Sequence, residues 1–165
     1  MRHIISILLQ NEAGALARVA ALFSSRGYNI ESLSVATTEQ VELSRLTLVT
    51  TGPDTVIEQI IKQLQKLVDV VKIVDMTLDA HIERELLLLK VRVDPDKEQA
   101  LAALIAAYGV RVLDDSPETY TLELTGASDR MDECISQVGA VVEILAVVRS
   151  GAMAIARGKK LLNVA

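Results

Sequence analysis

The 165-residue sequence predicts an α+β protein made of two tandem βαββαβ modules, and three observations carry that reading. Apolar residues switch between a period of 2 and a period of 3.6 in the order strand, helix, strand, strand, helix, strand. The same order recurs after about 80 residues, too long for a solenoid unit and right for small tandem domains. Half of the chain is hydrophobic, which is ample for two cores.

Ile4 to Leu9 is a continuous apolar run with the length and branching of a strand. The polar stretch Gln10-Asn11-Glu12-Ala13-Gly14 interrupts it, and Leu16, Val19, Ala20 and Phe23 then recur at helical spacing. Gly27, after Ser-Ser-Arg, reads as a left-handed cap ending that helix. Asn29 to Thr38 is extended, Leu43 to Thr51 alternates, and Gly52-Pro53-Asp54 marks the next helix start. That second helix places Ile57, Ile60, Ile61, Leu64, Leu67 and Val68 on one stripe, with Thr55 and Glu58 spaced as a capping box. Val70 to Thr77 closes the module as a strand.

The second module runs as a strand from His81 through Val93, a helix using Leu101, Leu104, Ile105 and Tyr108, and strands at Val110–Asp114 and Tyr120–Thr125. A helix from Ser128 and a strand from Val141 to Val148 complete it. The expected domains are residues 1–78 and 79–165, each a ferredoxin-like sandwich of four antiparallel strands with two helices on one face. Along the first strand, Ile5, Ile7 and Leu9 point to one face while Ile4 and Leu8 point to the other. Helices cover only one side of such a sheet. The second face should therefore meet the sister module, another subunit or a partner.

Composition excludes several functions. A formal net charge of −5 argues against a nucleic-acid or anionic-membrane surface, and 2% aromatic content leaves no base-stacking platform of the kind RNA-binding βαββαβ domains use. No apolar run approaches membrane-spanning length, and the opening MRHIISILLQ has no signal-type cleavage site, so the expected location is cytoplasmic. Cys134 is the one cysteine and shares a helical stripe with Met131, Ile135 and Val138, which reads as core. His3 and His81 each stand alone at the head of a module, where a solvated or hydrogen-bonded role is expected rather than a metal. Glycines occur singly, never as a phosphate-loop or dinucleotide fingerprint. No catalytic or metal-binding constellation is found.

What remains is the opening turn. It joins a strand to a helix N-terminus, where unpaired N–H groups and the helix dipole favour an anion. Glu12 argues against phosphate, whereas Asn11 carries both donor and acceptor and suits a zwitterion. The N–H groups at Gly14, Ala15 and Leu16 would face a carboxylate, and Gly14 would let it approach the backbone. A second amide, Asn29, precedes Ile30 on the next strand. Together these suggest a free amino acid.

The run N-x-x-G-x-L-x-R-V-x-x-L-F-x-x-R-G-Y-N-I-E-S-L, from Asn11 through Leu33, resembles the ACT domain of the small regulatory subunits of acetohydroxyacid synthase (acetolactate synthase). The resemblance continues in LSRLTLVT, EQIIKQLQKLVDVVKI, ERELLLLKV, YTLELTG and VRSGAMAIARG, and is weakest from Asp94 to Ala107. It implies a chain with no catalytic site or cofactor of its own. Thiamine diphosphate, Mg and FAD are expected on the catalytic (large) subunit, which this chain would bind and activate while conferring feedback inhibition by valine or a related amino acid. The implied effector site lies between the ACT domains of a homodimer, with Asn11, Gly14, Ala15 and Leu16 from one subunit and Asn29 and Ile30 from its neighbour. One methylene separates the branched-chain amino acids by only about 1–3 kcal/mol, so the effector's identity stays open. Alternatives are an ACT-type sensor for another biosynthetic enzyme or for transcription, though no basic helix-turn-helix module is present, and an adaptor with an empty pocket. The basic tail, with Arg149, Arg157, Lys159 and Lys160, reads either as a contact for the catalytic subunit or as a solvated end.

Overall fold

The computed structural model describes residues 1–162, which form two units: Met1–Ile82 together with the chain from Ala152 on, and Glu83–Gly151. The last three residues of the expected second domain lie outside the described residues.

The first unit contains β1 (Arg2–Gln10), α1 (Ala15–Ser25), β2 (Ile30–Thr37), β3 (Leu43–Thr51), α2 (Asp54–Leu64) and β4 (Val70–Asp75). Its antiparallel sheet has the order β2-β3-β1-β4, the ferredoxin-like arrangement expected from the sequence. Ile5, Ile7 and Leu9 meet Val19 and Phe23 of α1 and Ile57, Ile60 and Leu64 of α2 in a closed core. Gly27 ends α1 as expected: it takes φ +73, and the N–H groups of Gly27 and Tyr28 donate to the carbonyls of Ser24 and Phe23.

Two local readings are corrected. On α1 the buried line is Ala15, Val19 and Phe23, so Leu16 of the expected stripe faces solvent. On α2 the helix begins at Asp54 with Pro53 as its cap, which puts Thr55 inside the first turn and leaves no side-chain cap bond. The helix also ends at Leu64, and Val68 is 92% exposed. Apolarity alone had extended the stripe through a turn that delivers Asp69 to the interior.

The second face of β1 is partly covered by the chain itself. Ile4 packs with Val49, Met76, Ala152 and Ala154. The tail strand β9 (Met153–Ala156) lies here, and the Ala154 N–H donates to Thr47 Oγ1 at 3.3 Å. The tail thus groups with the first unit, where a division at residue 78 had assigned it to the second, and through Ala156 it is no solvated end. His3 is buried and hydrogen-bonded, its ring nitrogens 2.9 Å from Asp75 Oδ2 and 3.0 Å from Asp54 Oδ1.

The second unit repeats the plan with β5 (His81–Arg92), a 3₁₀ turn at Pro95–Lys97, α3 (Glu98–Tyr108), β6 (Arg111–Asp114), β7 (Thr119–Gly126), α4 (Ser128–Gly139) and β8 (Glu143–Arg149). Strand order is β6-β7-β5-β8. Leu87, Leu89 and Val91 pack on Leu101, Met131, Cys134 and Val138, so the expected α4 stripe is core, and burial pushes the Cys134 thiol up. Arg149 grips Glu85 through two bonds of 2.6 and 3.0 Å and reaches Asp132 at 2.5 Å, which assigns it to the unit's own framework. No helix among the described residues is long and apolar enough to cross a membrane.

Candidate functional site

The turn between β1 and α1 is fixed from three sides. Gln10 N–H donates to the Asp69 carbonyl at 2.8 Å, and Asn11 N–H to the Glu42 carbonyl at 2.7 Å. Asn11 Nδ2 also donates to the Val41 carbonyl at 2.9 Å, which leaves Oδ1 as its free acceptor. Arg18 reaches from the first turn of α1 to the buried Asp69, with Nε at 2.5 Å and Nη2 at 3.0 Å. The Arg18 bonds hold the Asp69 carboxyl below its usual range, and the same pairing raises the Arg18 pKa. This clamp pins the start of α1 to the lead-in of β4.

Gly14 caps α1 at φ +84 and ψ −9, a left-handed conformation that costs any residue with a Cβ. Its carbonyl accepts the first helical bond, from Arg18 N–H at 3.0 Å. Of the N–H groups expected to face a carboxylate, that of Ala15 turns back to the Glu12 carbonyl at 3.3 Å. Those of Leu16 and Ala17 have no intrahelical acceptor at this end of the helix. The Ala15 side chain is buried in the core, and Leu16 stands exposed beside the free N–H groups.

Asn29 and Ile30 lie elsewhere. Ile30 opposes Thr50 on β3, whereas Gln10 opposes Leu43, so the length of β3, about 23 Å at about 3.3 Å per residue, separates them from the turn along the sheet. Asn29 is exposed, and its carbonyl accepts from Thr50 Oγ1 at 2.8 Å. Ile30 packs partly on its own core. A single chain brings together Asn11, Gly14, Ala15 and Leu16 but not these two.

Residues 5–72 match a family described as the AHAS small subunit-like ACT domain, and residues 84–158 match the small subunit of acetolactate synthase. The chain is 43% identical to the acetolactate synthase isozyme 3 small subunit of Salmonella typhimurium, over 99% of its own length and 100% of the relative's. It belongs to the acetolactate synthase small-subunit family. The probable small subunit of Archaeoglobus fulgidus is 42% identical over 97% of this chain and 99% of its own. The crystal structure of the Thermotoga maritima small subunit superposes with a TM-score of 0.84 at 36% identity, covering 97% of this chain and 99% of that one. The two-module α+β fold, with an ACT domain first, is thus shared with a solved small subunit of the family.

Within that frame, the site's supports were the part that sequence reasoning missed. Arg18 stood in the quoted motif without a role, and Asp69 lay at the end of a presumed helical stripe. A lone acid between Val68 and Val70 was the available signal, since a carboxylate in an apolar setting needs a cation.

Proposed function

We propose that this chain is the non-catalytic regulatory subunit of an acetolactate synthase, that it binds and activates the catalytic large subunit, and that it confers feedback inhibition by valine or a related branched-chain amino acid. The observation that carries the site reading is the separation of the turn from Asn29 along the sheet, with β2 at the sheet's edge, unpaired among the described residues, between them. Antiparallel pairing of β2 with β2 of a second copy would bring the neighbour's Asn29 and Ile30 to the end where Asn11 and Gly14 lie. A homodimer so formed would complete one site from two chains. The free N–H groups of α1 would take the effector carboxylate, Asn11 Oδ1 would accept from its ammonium, and exposed Leu16 would meet the side chain.

Such a site couples effector binding to dimer geometry, and it inhibits only if the effector favours the inhibited arrangement of the complex over the active one. Thiamine diphosphate, Mg and FAD would reside on the large subunit, in the cytoplasm. The test is reconstitution with the cognate large subunit, following acetolactate formation from pyruvate. Addition of the chain should raise the rate and valine should lower it, whereas the chain alone should be inactive. A rate insensitive to the chain, or turnover by the chain alone, would overturn the proposal.

A further inference from the structure

The sheet of the first unit carries a second feature, on the face opposite the helices. Leu8 on β1 lies directly opposite Arg45 on β3 and Lys72 on β4, so two cations flank one leucine in a row across the strands. Two residues along, Ser6 lies opposite Thr47 and Val74, and Ser34 of β2 opposite Thr47, giving a row of hydroxyls beside the charged row. The tail borders this floor through Met153 and Leu161, and the two line a half-open cavity of about 820 Å³. That volume lies within the range of small-molecule sites, about 300–1,000 Å³.

The charge at its floor is uncompensated. Arg45 Nε donates to Ser6 Oγ at 3.2 Å and Nη2 to the Ala154 carbonyl at 3.3 Å, both neutral acceptors. Among the described residues neither Arg45 nor Lys72 has a carboxylate partner. Of the acids on the rim, Asp79 is held by Lys160 at 3.1 Å and Glu39 sits exposed on the β2–β3 loop. Burial lowers the Arg45 pKa, the mark of a cation removed from water without a counter-charge. A half-buried guanidinium with unused N–H groups recognises a carboxylate, and the Leu8, Val74 and Met76 surfaces favour an apolar body.

We propose that this cavity binds an aliphatic carboxylate, its head group on Arg45 and Lys72 and its chain along Leu8 and Val74 under the tail. The site is separate from the β1–α1 turn and does not rest on the regulatory reading. The test is calorimetry on the full chain with octanoate and, as an uncharged match, octanol. Octanoate should saturate below about 1 mM, and octanol should bind at least about tenfold more weakly. Arg45→Gln and Lys72→Gln should each weaken octanoate by about tenfold or more. Because Arg45→Gln also removes a bond to the tail, Ala36→Phe, which fills the cavity from an exposed strand position, provides a second route to the same loss. Absence of binding up to about 10 mM would overturn the proposal. Octanol binding equal to octanoate, or folded Lys72→Gln and Ala36→Phe proteins that bind octanoate as well as the wild type, would do so too.

Discussion

Replacement of Gly14 separates a structural role for the turn from an effector role, because the two predict opposite orders of damage. Gly14 holds φ +84, so any side chain there costs about 1–2 kcal/mol of backbone strain. A Cβ would lie 2.8 Å from Arg18 Nη1, so the guanidinium that holds Asp69 must shift as well, an added cost that both substitutions share. Gly14→Ala should therefore lose at least about 1–2 kcal/mol. Gly14→Asp suffers the same strain but recovers about 0.3–1 kcal/mol from a carboxylate at a helix N-terminus, with the Arg18 guanidinium at hand. Alanine should thus be the less stable protein by urea denaturation. Inhibition by valine should follow the reverse order. The aspartate side chain fills the approach to the N–H groups and sets like charge against the effector carboxylate, whereas alanine adds only a methyl. The assay is a valine titration of the reconstituted complex with each variant, after checking that both still associate. Loss of inhibition that simply tracks loss of stability, greater for alanine than for aspartate, would refute the placement of the effector at this turn.

Asn29→Ala should weaken valine inhibition by about tenfold while leaving the chain's stability within about 0.5 kcal/mol, since its side chain is exposed. Light scattering of the wild type should report twice the chain mass, and a monomer that still binds valine would exclude a shared site. Asp69, Asp75 and Glu85 all have carboxyl pKa values below the usual range. Arg18 lowers Asp69; burial opposes the ionisation of Asp75 and Glu85 but is outweighed by bonds from Thr77 and His3 in one case and from Arg149 and Ser128 in the other. Their contribution is complete above about pH 5 and is lost as pH falls through the folded values, because the unfolded chain takes up protons first near pH 4. The urea midpoint should fall on acidification from neutrality, and a midpoint that rises would contradict these pairings. Ala154→Leu should destabilise the chain by about 1–3 kcal/mol through overpacking between the tail and the sheet, read from the same urea transition.

The last of these predictions shows where the sequence was legible and where it was not. Period and order were enough for both sandwiches, because the inward positions Ile5, Ile7 and Leu9 of β1 and Val19 and Phe23 of α1 are large and apolar where burial demands it. The turn was legible as a strand-to-helix junction, but not its fixings: the left-handed Gly14 and the bond from Asn11 Nδ2 to the Val41 carbonyl carry no signature that their residue types alone reveal. The tail inverts that logic. In Gly-Ala-Met-Ala-Ile-Ala the buried residues are Gly151, Ala152 and Ala154, while Met153 and Ile155 are each 52% exposed. Hydropathy would turn the strand over. Close approach decides instead, since the Ala154 N–H and carbonyl both bond to side chains of β3, Thr47 and Arg45, and a larger residue would hold the backbone off the sheet. The same approach explains the hydroxyls at Ser6 and Thr47, which sit at positions where a strand buried on both faces would otherwise carry valine or isoleucine. Small residues in the tail and polar ones in the floor are thus two halves of one contact, and neither half signals burial when its own segment is read alone.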